Sequence, residues 1–204
     1  RANALLFAQI NSKRIRPDNL PQSHLVFLID VSGSMQGPLK LPLVKASMIM
    51  LTDQLRENDR VSIVVYAGAA GLVLPPTNGN DKLKIKNAID ELEAGGSTAG
   101  GAGIQLAYKT AREYFVKNGN NRVILCTDGD FNVGASSDDA MERLIEEERK
   151  SGVFLTVLGY GMGNYKDNKM QKLADKGNGN CFYIDSEREA RRVFQERLAG
   201  TLEV

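Results

Sequence analysis

A doubly wound α/β domain is the fold class this chain predicts, and three observations predict it. From residue 24 onward, short apolar runs alternate with longer amphipathic ones, the pattern of repeated βαβ units around a mostly parallel sheet. Four of the apolar runs are nearly unbroken Val, Ile and Leu, as strands covered on both faces require. Breakers such as Gly37-Pro38, Pro75-Pro76, Asn78-Gly79, Gly95-Gly96 and Gly177-Asn178-Gly179 fall between the runs rather than inside them.

Taken in order, residues 1–23 form an appendage. Ala4 to Ile10 has the composition of one strand, and Asn11 to Ser23 is a polar, proline-containing connector. An unpaired apolar strand is an aggregation hazard, so this segment is expected to dock on the core as an extra strand. The first core strand is Leu25 to Asp30, followed by helical periodicity over Leu43 to Leu55. Arg60 to Ala67 is the second strand. A very short third, Leu72 to Leu74, joins it through Gly68 to Gly71, which suits an antiparallel edge hairpin. Helices then follow at Lys82 to Leu92 and Ala102 to Lys117, and a fourth strand at Arg122 to Thr127. The remainder alternates: helix Asp138 to Ser151, strand Val153 to Tyr160, helix Asn168 to Lys176, strand Cys181 to Ile184, helix Glu187 to Leu198. The sum is a Rossmann-like, mostly parallel six-stranded sheet with one antiparallel edge strand and helices on both faces, occupying residues 24–204 as one domain.

Composition narrows the function classes. The 204 residues are 42% hydrophobic and 25% charged, ordinary globular usage that argues against disorder or low-complexity scaffolding. Lys and Arg number 26 against 25 Asp and Glu, and no basic run could track a phosphate backbone, so a dedicated nucleic-acid binder is disfavoured. Apolar stretches such as Leu25 to Ile29 and Met48 to Leu51 fall far short of the roughly 20 residues that span a bilayer, so no direct membrane insertion is expected. The chain begins with Arg1 and no signal peptide follows, which reads as a fragment of a longer or processed precursor. One His and two Cys cannot complete an ordinary zinc site without carboxylates. Cys126 and Cys181 are expected on strands with one strand between them, about 9 to 10 Å apart, so both should be free thiols.

The informative segment is Asp30-Val31-Ser32-Gly33-Ser34, immediately after the first strand. In a doubly wound sheet ligands bind beyond the carboxyl ends of the strands, where strand order reverses, and the first strand commonly flanks that crevice. One carboxylate and two hydroxyls form a hard-oxygen set, which selects Mg²⁺, Mn²⁺ or Ca²⁺ over zinc or copper. Thr98, in the small-residue run Gly95 to Gly101, and Asp128, directly after the fourth strand in Thr127-Asp128-Gly129, carry matching chemistry at the same sheet end. Five oxygen-bearing side chains from three loops could therefore converge on one ion.

These residues resemble the metal-ion-dependent adhesion site of a von Willebrand factor type A domain. The DxSxS motif falls at Asp30, Ser32 and Ser34, the threonine at Thr98 and the TDG aspartate at Asp128. The likeness runs from about His24 to Leu198, through LVFLIDVSGSM, NDRVSIVVYA, GGSTAGGAGI and VILCTDGD, without departure at the five positions. The appendage lies outside it, though the whole is similar to bacterial proteins in which such a segment precedes the domain. The resemblance implies Mg²⁺, or Mn²⁺ or Ca²⁺, held directly by the serine hydroxyls, through water by the first aspartate, and by the threonine and last aspartate in exchanging roles. It further implies a protein partner that supplies an Asp or Glu carboxylate to an open coordination position, and it favours the cell envelope or the extracellular space.

Blander readings exist for each residue: Asp30 as a turn cap, Ser32 and Ser34 as hydroxyls ahead of a helix, Thr98 as a helix cap, Asp128 as a turn former. A structural domain whose metal only stabilises loops, and a metal-dependent hydrolase, are the alternatives. Against the hydrolase, no base or cationic stabiliser for phosphoryl transfer is evident, Ser32 replaces the second acid of a dehalogenase-type phosphatase, and the lone imidazole, His24, lies at the opposite sheet end. His24, before the first strand, reads as a surface or strand-entry residue. Gly159 to Gly163 is GxGxG rather than GxGxxG and reads as a turn; Glu142 to Lys150 reads as the wet face of a helix. The reading is a binding module, not an enzyme.

Overall fold

The computed structural model describes residues 21–95, 100–129, 131, 138–161 and 167–194. The appendage strand expected at Ala4 to Ile10, and Thr98, lie outside the described residues. The strands are β1 (Ser23–Asp30), β2 (Arg60–Tyr66), β3 (Ala70–Asn78), β4 (Asn120–Thr127), β5 (Val153–Tyr160) and β6 (Cys181–Ile184). Interspersed are α1 (Leu41–Gln54), α2 (Lys82–Asp90), α3 (Gly100–Glu113), α4 (Asp138–Lys150), α5 (Asp167–Lys176) and α6 (Glu187–Arg192). The sheet order is β3-β2-β1-β4-β5-β6, parallel throughout except for the antiparallel β2–β3 pair.

Strand periodicity divides the core into two layers. On β1, Leu25, Phe27 and Ile29 face a cluster completed by α1, α2 and α6, and Val26 and Leu28 face one completed by α3, α4 and α5. Both faces of the central strand are thus dry, which is why its sequence shows no polar alternation. Chain order reverses at β1, with β2 and β3 on one side and β4 to β6 on the other, so a crevice opens where the carboxyl ends of β1 and β4 diverge.

Several expectations are corrected. The third strand is not three residues but nine, Ala70–Asn78, and it runs through Pro75-Pro76. Proline is tolerated because β3 is an edge and because its register with β2 shifts between Val61 and Ile63, where the prolines fall. His24 is not a surface residue: it lies within β1, fully buried, with Nε2 3.0 Å from Ser62 Oγ. β4 begins two residues earlier than expected, because the buried Asn121 side chain satisfies the Val116 N–H and C=O at 2.8 and 2.9 Å. The Glu142 to Lys150 run is not simply solvated: Glu142 pairs with Lys172 and Glu146 with Lys176 on α5, and Glu148 pairs with Arg112 on α3. Cys126 and Cys181 are not disulfide-bonded, lying on β4 and β6 with β5 between, as their spacing required.

Candidate metal centre

The loop that leaves β1 is shaped by its own polar atoms. Asp30 Oδ1 accepts a hydrogen bond from the Ser32 N–H at 2.9 Å, the two-residue turn an aspartate side chain readily makes. Val31 N–H donates to Tyr66 O at 3.0 Å, carrying the β1–β2 ladder one step past the strand, and Met35 plugs the following 3-10 turn (Gly33–Gln36) into the core. The turn leaves the Ser32 and Ser34 hydroxyl oxygens 3.0 Å apart. Val31 O accepts from Gly95 N–H at 2.7 Å, so the described chain reaches Gly95 beside this turn.

The second carboxylate comes from the neighbouring strand. Asp128 follows β4 directly, and Gly129 after it has φ +98°, a left-handed conformation in which a side chain would be strained. The Asp128 side chain is only 3% exposed. Its Oδ2 accepts a hydrogen bond at 2.8 Å from Lys40 Nζ, and the same ammonium donates to Ser34 O at 2.9 Å. Lys40 immediately precedes α1, and its stem runs past Gly37 and Gly161; a β-carbon at Gly161 would stand 3.2 Å from Lys40 Cε.

Electrostatically the centre is short of positive charge. Asp30 is fully buried, and burial raises its carboxyl above the usual range. Hydrogen bonds from Ser32 and Tyr66 hold it down, the latter from the phenol to Oδ2 at 3.2 Å, while the Asp128 charge pushes it further up. Tyr66 itself is driven well above its ordinary value, by burial first and by the Asp30 charge second, so it stays a donor. Of the two carboxylates, Asp128 carries the Lys40 ion pair, while Asp30 accepts hydrogen bonds from the neutral Ser32 N–H and Tyr66 OH. Among the described residues no group of three or more His, Cys, Asp or Glu could hold a metal, so any ion here must use hydroxyls as well.

The donor set fits a hard divalent cation. Neighbouring vertices of an octahedron with bonds of about 2.1 Å lie about 3 Å apart, and the two serine oxygens are 3.0 Å apart. The Lys40 ammonium on Asp128 is a cation already standing at the centre's edge. Four of the five sequence-chosen residues, Asp30, Ser32, Ser34 and Asp128, occupy this one strand-end cluster; the fifth, Thr98, lies outside the described residues. Sequence reasoning missed Tyr66 and Lys40. Tyr66 was legible in principle, because Asp30 and Tyr66 are register partners at matching ends of adjacent apolar runs. Lys40 carried no motif.

Comparison with known proteins agrees with this architecture. The sequence pattern of the von Willebrand factor type A domain matches residues 24–196. The chain belongs to that family. Family members generally mediate protein–protein interaction and are typically non-enzymatic adhesion modules. The uncharacterized protein YfbK of Escherichia coli (strain K12) is 46% identical over 198 residues, covering 97% of this chain and 34% of YfbK. The chain thus spans about a third of that relative. Inter-alpha-trypsin inhibitor heavy chain H3 of Bos taurus is 27% identical, over 91% of this chain and 22% of its own length. Among solved structures, BatB from Bacteroides thetaiotaomicron superposes with a TM-score of 0.70 at 22% identity, covering 88% of this chain and 98% of that one. Proximal thread matrix protein 1 from the mussel byssus, solved with a zinc-occupied MIDAS motif, also has a TM-score of 0.70, at 23% identity over 90% of this chain and 46% of its own. At such identities the two structures establish the shared fold alone.

Proposed function

We propose that this domain binds a divalent cation, Mg²⁺ or its hard relatives Mn²⁺ and Ca²⁺, through Asp30, Ser32, Ser34, Thr98 and Asp128, and uses it to capture an Asp or Glu side chain of a protein partner. The observation that carries the reading is the cluster of Asp30, Ser32, Ser34 and Asp128 oxygens at the carboxyl ends of β1 and β4, with two hydroxyls 3.0 Å apart. When bound, the ion supplies positive charge only partly compensated by neutral hydroxyls, together with exchangeable positions that an outside carboxylate can take. The chain's own contribution is orientation. Ser32 N–H and Tyr66 OH fix the Asp30 carboxylate, and Gly129 turns the chain away from Asp128.

Calorimetric titration with Mg²⁺ and Mn²⁺ tests the centre. The parent should bind, and Asp128→Ala should weaken binding by at least about tenfold, the loss expected even for groups that only support a ligand. Unchanged affinity would remove Asp128 from the site. Partner capture from extract in Mg²⁺ and again in EDTA tests the second half, and capture that ignores EDTA would defeat it.

A further inference from the structure

We infer that Lys40 is a tethered counter-cation of the metal-free centre, and that a divalent ion enters only by displacing its ammonium from Asp128. The inference rests on the metal-centre reading above and concerns what sets the affinity of that site.

The geometry is specific. Lys40 Nζ bridges two of the loops that form the centre, donating to Ser34 O at 2.9 Å after β1 and to Asp128 Oδ2 at 2.8 Å after β4. The backbone of Lys40 is held on both sides, its N–H by Gly37 O at 3.0 Å and its C=O by the Val44 N–H at 2.9 Å. Its stem passes two glycines: a β-carbon at Gly161 would stand a tight 3.2 Å from Lys40 Cε, whereas one at Gly37 would make ordinary contact with Lys40 Cδ at 3.6 Å. Gly161 also has φ +98°, so a residue with a side chain is disfavoured there twice over. The stem thus packs closely past Gly161 with its ammonium at the centre, while 30% of the side chain remains exposed, which leaves it a way out.

Charge supplies the reason. Asp30 and Asp128 repel across the crevice, and Lys40 is the cation bonded to one of them. A divalent ion sharing Asp128 would stand beside the ammonium, and like charges at such separations repel strongly in a partly buried site. Occupation by one should exclude the other, so the two are coupled negatively and reciprocally. The ammonium holds the loops in register when the ion is absent, and lowers the ion's affinity in exchange.

The test is Mg²⁺ titration calorimetry on the parent, Lys40→Met and Lys40→Arg, with thermal melts in EDTA. Lys40→Met keeps the stem and deletes the charge; it should bind Mg²⁺ about tenfold more tightly, within the ordinary range of coupling between sites. It should also melt lower than the parent in EDTA, and gain more from Mg²⁺. Lys40→Arg keeps the charge and should stay near the parent. Equal or weaker Mg²⁺ binding by Lys40→Met overturns the inference, as does equal tightening by both variants, since charge would then not be the cause. If the parent binds but Lys40→Met does not tighten, the metal centre stands and only the displacement fails. If no protein binds Mg²⁺ or Mn²⁺, both fall together.

Discussion

Single residues in this domain carry opposing pH dependences. His24 is buried in β1, and desolvation, helped by the charge of Arg60 and offset by the Tyr114 main chain, pulls its pKa down from 6.5 to about 4. Between those values the unfolded chain binds a proton that the native chain refuses. The stability present above pH 6.5 is therefore lost as pH falls toward 4, by about 3 kcal/mol at the limit. Asp30 acts in the other sense, since its raised carboxyl takes up a proton first in the native state and so favours folding as pH drops. Urea denaturation at pH 7.5 and pH 4.5 separates the two. Asp30 is common to the parent and His24→Gln, so the parent should lose more stability than the variant on acidification. Identical losses would show that His24 is not the sensor. His24 also illustrates what sequence conceals: an imidazole at the start of an apolar run looks like a strand boundary, and the Ser62 hydroxyl that partners its Nε2 is brought up by the neighbouring β2.

At the scale of elements, legibility followed burial on both faces. β1, β2, β4 and β5 were readable because each is an almost unbroken apolar run, and the DxSxS and TDG turns sit where two of those runs stop. β3 was not readable beyond its middle, because an edge strand needs neither continuous apolar side chains nor every N–H. Lys40 was invisible for a different reason: its role depends on Asp128, 88 residues away, which only the β1–β4 pairing brings close. The packing of α3 gives an element-scale prediction. Gly103 faces β1 and β2, and a β-carbon there would stand 2.8 Å from Tyr66 Cβ and 3.1 Å from Leu28 Cδ1. Gly103→Val should therefore force α3 away from the sheet and cost about 2 kcal/mol or more in urea denaturation. Because Tyr66 donates to Asp30, the same change should also weaken Mg²⁺ binding. A variant as stable as the parent would mean that α3 has freer passage over the sheet than this contact allows.

For the molecule as a whole, the proposed ion binding predicts a link between ligand and fold. An ion that binds only the native state stabilises it by mass action, about 2.7 kcal/mol at one hundred times its Kd. For a domain near this size that is on the order of 5–10 °C in Tm. Melts in increasing Mg²⁺ should rise accordingly in the parent and stay flat in Asp128→Ala; parallel rises in both would point to nonspecific salt effects. The two core layers make such coupling plausible in structure, because the turn that presents Ser32 and Ser34 is itself anchored in one of them through Met35.

The margins of the sheet bear on how copies of this domain behave when crowded together. At one border Pro75 and Pro76 offer no amide hydrogen and interrupt the register, and at the other β6 is four residues long. Among the described residues, a second chain seeking to prolong the hydrogen-bonded ribbon would find missing rungs on one flank and few on the other, which gives strand stacking little purchase there. Among the described residues the sheet therefore presents no long unbroken edge for another copy to extend when the domain is crowded.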